Sequence, residues 1–415
     1  MKVLWFSNSM ANADEYFNNQ LKGTGGWLKS LDAELQNNVD LHIVYHSGTD
    51  KQKFFRYKKT TYYPIQIYKN KFAKNYAIFN NRILNEEFKE EYLRIINEVK
   101  PDIIHIHGTE NPFGCIIGGT NIPVVTSIQG NLTVYSHKYY SGIGEKYLDV
   151  GIKKKIVFKN CFRNGYNQQL KMASIEQKNL LKCENIIGRT DWDYRITRIL
   201  SPESKYYHVD EILRNEFHQV KWQKKENSKF VIYTTNSNSF YKGFETICKA
   251  VSLLHQIGVN FKWCIAGIKE NDLIVRIVRK KLGNDFPRQS LKLLGNISAN
   301  DIVENMLEAN LYVMPSHIEN SPNNLCEAMI LGMPCITTLA GGVGSLLKDK
   351  EEGLIIQDGD PWAMAGAVME IMNNEKQAIE YGKKARERSL KRHNKTKIVD
   401  DLLHIYKCII NNENN

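Results

Sequence analysis

Leu311-Tyr312-Val313-Met314-Pro315-Ser316-His317-Ile318-Glu319-Asn320-Ser321-Pro322-Asn323-Asn324-Leu325-Cys326-Glu327-Ala328-Met329 decides how this chain is read. An apolar run of strand length, Leu311–Met314, ends in a polar loop. Ser321 followed by Pro322 then predicts a helix start, with serine as the N-cap and proline at the first helical position. The N–H groups around Asn323 to Leu325 have no intrahelical acceptor, and the helix dipole is positive there, so the segment is an anion site beside the carboxyl end of a strand. Glu319 stands just before the helix and Glu327 about one and a half turns inside it. Two carboxylates flanking an anion site suit a nucleotide diphosphate sugar, whose pyrophosphate wants N–H donors while its hydroxyls want acceptors.

The same strand, loop and helix unit recurs on both sides. Strands are predicted at Phe230–Thr234, Trp263–Ala266, Leu291–Leu294 and Cys335–Thr338, alternating with helices around Phe244–His255, Leu273–Lys281, Ala299–Glu308 and Asn323–Leu331. Upstream, strands are predicted at Val3–Asn8, Leu41–His46, Ile65–Tyr68, Ile103–His107, Val124–Ile128 and Asn185–Gly188. Such alternation is the pattern of parallel α/β sheets with crossover helices. The polar stretch Lys221-Trp222-Gln223-Lys224-Lys225-Glu226-Asn227 reads as a linker between two doubly wound domains. The expected division is a first domain over 1–220, a second over 221–390, and a terminal helix over 391–415 that returns toward the first domain. Pro361 to Ile410 reads as two or three helices.

At 415 residues the chain is about two to three times the usual domain size. Its 42% hydrophobic and 24% charged residues and mean hydropathy of −0.43 exclude long disorder, collagen and a polytopic membrane protein. The opening Met1-Lys2-Val3-Leu4-Trp5-Phe6-Ser7-Asn8 is too short for a signal-peptide core and reads as a first strand, which places the protein in the cytoplasm. Eight scattered cysteines without a C-x-x-C suggest buried, reduced side chains rather than zinc or disulfides.

The net charge of +11 is uneven. Residues 1–215 carry 30 basic against 22 acidic side chains, and residues 216–415 carry 26 against 23. The basic, aromatic-interleaved stretches Lys51–Lys59 and Lys153–Arg163 suit either solvated faces or peripheral contact with an anionic membrane. No nucleic-acid module accompanies the charge, so nucleic acid is not expected as a partner.

At Glu319 and Glu327 the sequence resembles the retaining glycosyltransferases of the GT-B fold, family 4, with their E-x7-E motif. That resemblance implies two Rossmann-like domains facing across a cleft, with C-terminal helices. It implies transfer of a sugar from a UDP- or GDP-sugar to a glycan or lipid-linked acceptor in bacterial surface polysaccharide assembly, with no cofactor and no metal. Glu319 and Lys242 are then the catalytic residues, Lys242-Gly243 matching the family's Lys-Gly, whose lysine meets the phosphates. Glu327 is assigned to the ribose, and Asn320, Ser321, Asn324 and Leu325 to the rest of the donor site. Gly295 matches a strand-end glycine beside the base, and Gly25, Gly26 and Arg189 are further donor contacts. Glu110 and Gln129 are the acceptor residues.

The chain departs from the family pattern in three places: no arginine lies between Thr235 and Tyr241, Gln129 stands where many relatives carry histidine, and Ser345 replaces an acid after Gly341-Gly342. Asp191-Trp192-Asp193 has the D-x-D form of metal sites in the other glycosyltransferase fold, as has Asp358-Gly359-Asp360; the tandem pattern favours the metal-free fold. Two alternatives stay open, a sugar-nucleotide epimerase and a catalytically silent partner subunit. The motif reading also expects Glu327→Ala to abolish transfer while leaving the fold intact.

Overall fold

The computed structural model of this chain describes residues 1–17, 26–47, 53–79, 86–144, 161–226 and 228–412. Two compact units account for it, the first from Met1–Ser136, Arg163–Ile212 and His393–Asn415, the second from His137–Phe162 and Leu213–Arg392.

In the first unit the strands are β1 (Lys2–Ser7), β2 (Asp40–Ser47), β3 (Phe55–Tyr57), β4 (Thr60–Gln66), β5 (Ile103–His107), β6 (Val124–Ser127), β7 (Asn185–Gly188) and β8 (Lys205–His208). They form one sheet in the order β3-β4-β2-β1-β5-β6-β7-β8, parallel except where β3 meets β4. Period-two alternation along β1 sends Val3 and Trp5 to one face and Leu4 and Phe6 to the other. The first face is covered by α1 (Gly26–Leu35) and by the chain's last helix (Lys395–Ile410), which buries Leu402, Ile405 and Tyr406. The second face is covered by Tyr92, Ile95 and Ile96 of the helix Lys89–Val99. Each such side chain contributes about 1.5–3 kcal/mol on burial.

In the second unit β9 (Phe230–Thr235), β10 (Phe261–Ala266), β11 (Leu291–Gly295), β12 (Leu311–Met314), β13 (Cys335–Thr338) and β14 (Leu354–Ile356) are all parallel, in the order β11-β10-β9-β12-β13-β14. One face packs on Phe244, Ile247 and Val251, the other on Leu325, Met329 and Leu331. The near-continuous apolar runs are what a sheet buried on both faces requires.

In each sheet the chain starts at the centre, moves outward on one side, and returns to the other side of the first strand. β1 and β5 are paired neighbours in the first unit, and β9 and β12 in the second, but the connections that leave their carboxyl ends run to opposite sides, which makes those ends the expected place for a ligand.

Several expectations need correction. The strand predicted at Ile65–Tyr68 runs over Thr60–Gln66. Pro64 is accommodated because it lies past Tyr62, the last residue that β3 pairs. The short edge strands β3, β8 and β14 carry no long apolar run, so composition hides them. Lys221–Asn227 is no loose linker: Trp222 is buried in the second unit, its backbone N–H donating to Leu331 O at 2.8 Å and its Nε1 to Ala309 O at 2.7 Å. Asn227 itself lies outside the described residues.

Candidate functional site

The loop after β9 and the loop after β12 are joined through their backbones. Gly243 has φ of +72°, and any side chain there would run into the Pro315 carbonyl, so only glycine allows this approach. The His317 N–H donates to Tyr241 O at 2.7 Å, and Asn236 Nδ2 donates to Lys242 O at 3.0 Å. This fixation brings Lys242 to Glu319, Nζ to Oε1 at 2.6 Å. Ser316 Oγ donates to the same carboxylate oxygen at 2.7 Å, and Gly342 N–H holds the Glu319 backbone carbonyl at 2.9 Å. Burial is the largest single influence and disfavours the Lys242 ammonium, but the charge and hydrogen bond of Glu319 and the charge of Tyr241 together outweigh it, and the lysine's pKa lies above its ordinary value. Lys242 is therefore a fixed cation at neutral pH.

The helix at this end is Asn323–Leu331, the range expected from periodicity, but its cap residue is Pro322 and not Ser321. Pro322 occupies the cap position with ψ of 110°, outside the helical range, and its carbonyl accepts from Leu325 and Cys326 N–H. Leu325 N–H is also held by Asn324 Oδ1 at 3.0 Å. The open donors are thus Asn323 and Asn324 N–H, for which no acceptor occurs among the described residues. Asn324 Nδ2 anchors the helix start to Thr235 O at 3.0 Å, while Asn323 Oδ1 is buried without a partner. Asn320 and Ser321 are buried in the loop before it.

Glu327 lies in the next turn, buried, and both its oxygens are engaged by Arg214, with Nε to Oε1 at 2.7 Å and Nη2 to Oε2 at 2.8 Å. Burial raises the Glu327 pKa, and Arg214 opposes the rise. A carboxylate offers about four acceptor positions, so it can still accept from hydroxyls. Arg214, 113 residues away in sequence, carries no motif and was not foreseen. The alanine variant expected to leave the fold intact would instead strand a half-buried guanidinium; Glu327→Gln is the informative change.

His317, also unforeseen, sits between two acids, Nε2 against Glu245 Oε1 at 2.8 Å and Nδ1 against Asp358 Oδ2 at 3.3 Å, with Lys138 on Asp358 at 3.2 Å. Burial lowers its pKa, yet the bonds and charges of Glu245 and Asp358 prevail and raise it above 6.5. A group with a raised folded pKa stabilises fully below its unfolded value and loses that contribution as pH rises through the folded one. Urea midpoints of the wild type should therefore fall as pH rises above about 6.5, and His317→Gln should flatten that slope. An unchanged slope in the variant would remove His317 as its source.

In the first unit, Gly108 ends β5 with φ of +87°, and a side chain there would overlap Glu110 Oε2 and Asn8 Nδ2 and crowd Gln129 Cδ at 3.3 Å. Both residues expected at the acceptor therefore converge on one glycine, with Asn8 donating to Glu110 and Asn111 Nδ2 donating to Asn8 Oδ1 at 2.7 Å. Burial raises the Glu110 pKa. His105 is structural, bonded to Tyr406 OH and Ser127 Oγ at 2.6 Å each, and His107 is buried against it and against Trp5. Arg189 is buried, ion-paired with Glu211 and stacked on Trp27 at 4.6 Å.

Gly26 is the first residue of α1, and Gly25 lies outside the described residues. Gly295 has φ of +68° with the Lys269 side chain beside it, so its backbone conformation alone accounts for glycine there. Asp193 serves as a helix cap, holding Arg189 N–H at 2.9 Å and completing a capping box with Thr190. Among the described residues no group of three or more His, Cys, Asp or Glu could hold a metal ion, and no helix is long and apolar enough to cross a membrane. The seven described cysteine side chains are buried, burial pushing the Cys115 and Cys183 thiols up to about 11.

Residues 214–388 match the profile of the family described as glycosyl transferases group 1. The N-acetyl-alpha-D-glucosaminyl L-malate synthase of Bacillus anthracis is 26% identical over 115 residues, covering 28% of this chain and 30% of that protein. The capsular polysaccharide biosynthesis glycosyltransferase CapM of Staphylococcus aureus is 24% identical over 198 residues, covering 48% and 51%. The chain spans between 30% and 39% of the length of the curated relatives it matches first. Among solved structures, the sucrose-phosphate synthase of Thermosynechococcus elongatus superposes with a TM-score of 0.72 at 15% identity over 98% of both chains. HepE of Anabaena, solved with UDP and glucose, superposes at 0.63 and 12% identity, covering 98% of this chain and 99% of that one. At such identities the likeness is one of fold. The chain has the GT-B fold, and within its second unit residues 214–388 resemble the glycosyl transferases group 1 family.

Proposed function

We propose that this protein is a retaining glycosyltransferase that moves a sugar from a UDP- or GDP-sugar to a glycan or lipid-linked acceptor, without a metal, in bacterial surface polysaccharide assembly. The observation that carries the reading is the Lys242 and Glu319 pair, held by two loops beside the open N–H groups of Asn323 and Asn324. A diphosphate seated there meets a fixed ammonium and a helix N-terminus, and a sugar hydroxyl meets a carboxylate. Polysaccharide enzymes among the relatives support the context.

In the reaction the bond from the anomeric carbon to the leaving phosphate oxygen breaks. A bond to the acceptor oxygen forms on the same face, and the acceptor's proton passes to that phosphate oxygen. No carboxylate nucleophile is needed. Lys242 and the helix N–H groups stabilise the charge that grows on the diphosphate, while Glu319 orients the sugar. Glu327, held by Arg214, accepts from the ribose hydroxyls. Calorimetric titration of UDP, GDP and ADP, with and without EDTA, tests this. One diphosphate should bind selectively, unaffected by EDTA and ~10-fold more weakly to Glu327→Gln. Binding of none of the three would defeat the reading.

The acceptor end belongs at the cytoplasmic face of a membrane. In support, the helix Lys71–Phe79 exposes Phe72 (79%) and Tyr76 (64%) one turn apart, beside exposed Lys69 and Lys71. Aromatics flanked by lysines suit an anionic lipid surface, each cation contributing about 1 kcal/mol. The protein should sediment with phosphatidylglycerol vesicles and not with phosphatidylcholine ones, and the paired change Phe72→Ser and Tyr76→Ser should release it. Sedimentation that ignores both lipid charge and these side chains would count against membrane contact.

A further inference from the structure

The carboxyl ends of β1, β5 and β6 carry a polar cluster of one kind. Asn111 donates to Asn8, Asn8 donates to Glu110, and Gln129 closes on the same glycine, Gly108. Asn8 is exposed and Glu110, Asn111 and Gln129 are half-buried, so the cluster is reachable. Close by, Asn131 caps the following turn through its Oδ1, on Val134 N–H at 3.0 Å, while its buried Nδ2 donor has no partner. These groups are amides and one carboxylate.

Arg189 is a cation whose charge acts on Glu110, and it is bonded to Glu211 and stacked on Trp27. The neighbouring Glu176 is a second carboxylate, already saturated by Thr109 Oγ1, Leu132 N–H, Thr133 N–H and Thr133 Oγ1. A phosphate or uronate entering here would face like charge, while the described cation that acts on Glu110 is already paired, which disfavours it. Hydroxyl groups, which donate and accept, satisfy amides and a carboxylate alike.

We infer that the sugar unit of the acceptor that enters this cluster is uncharged, recognised through its hydroxyls by Asn8, Glu110, Asn111 and Gln129. The inference rests on the glycosyltransferase reading and adds the class of acceptor to it.

The test measures nucleotide release from UDP-glucose, UDP-N-acetylglucosamine and GDP-mannose. Neutral acceptors are the p-nitrophenyl glucosides, galactosides and N-acetylglucosaminides; anionic ones are p-nitrophenyl glucuronide, glucose 6-phosphate and ribitol phosphate. At least one neutral glycoside should raise release ~10-fold over donor hydrolysis, and the anionic compounds should leave it unchanged. Glu110→Gln should raise the KM for that glycoside ~10-fold with donor affinity unaltered, as loss of a charged hydrogen-bond acceptor predicts. Acceleration by the anionic set alone, hydrolysis that no neutral glycoside accelerates, or an unchanged acceptor KM in Glu110→Gln would each overturn it. Absence of both donor binding and nucleotide release is a different result: it removes the transferase reading itself, and this inference with it.

Discussion

Lys242→Met should lower turnover by ~10²–10³-fold, the cost of removing one preorganised group aimed at developing charge. The lysine is half-shielded, fixed by Glu319, and charged at neutral pH. Its attraction to the diphosphate grows as the sugar departs and negative charge collects on the leaving oxygen. The loss should therefore fall mainly on kcat, with a smaller rise in donor KM. Methionine keeps the length and apolar stem but removes the charge, and with it the contact of Nζ with the Tyr241 ring at 5.6 Å. Glu319 keeps Ser316 as a donor but becomes a buried carboxylate without its counter-charge, so a loss of stability of the kind expected for Arg214→Met accompanies the change, and turnover is compared on protein shown to be folded. Turnover within tenfold of wild type in a folded Lys242→Met protein would remove the lysine from the chemistry.

The second large effect is on stability. Arg214→Met should destabilise the second unit by about 3–5 kcal/mol, because Glu327 remains a buried carboxylate without a counter-charge. For a domain of this size that is a fall of roughly 10 °C in Tm. The sign of the pH dependence is set by burial, which already raises the Glu327 pKa, and losing Arg214 removes the opposing influence. Stability tied to the protonated carboxyl is fully present below its usual value near 4.5 and is lost as pH rises through the raised one. The variant should thus recover toward wild type on acidification, and the double change Arg214→Met with Glu327→Gln should recover at neutral pH. Calorimetric scans across pH of all three proteins read this directly; a Tm for Arg214→Met within about 2 °C of wild type would show that the pair contributes little.

Where sequence reading succeeded, the signal was local. Ile103–His107 and Leu311–Met314 are strands buried on both faces, and Ala299–Glu308 begins at Ser298, whose capping box with Asp301 is written within four consecutive residues. The elements it missed, Phe55–Tyr57, Lys205–His208 and Leu354–Ile356, are edge strands whose pairing comes from a neighbour. Pro322 shows the limit at a helix start: the residue pattern fits proline as the first helical residue, but ψ is decided by where the chain must go next.

By itself, the sequence determined two parallel α/β sheets, the position of the helix that carries Glu327, and the two loops that carry Lys242 and Glu319, because periodicity, capping residues and turn glycines act over a few residues. Only the tertiary structure decided that Lys242 and Glu319 touch across 77 residues, that Arg214 holds Glu327 across 113, and that Asn8 meets Glu110 across 102. Those meetings follow from strand order. When the chain returns to the far side of its first strand, distant loops become neighbours at the carboxyl ends, and strand order is set by packing the whole sheet rather than by any local stretch.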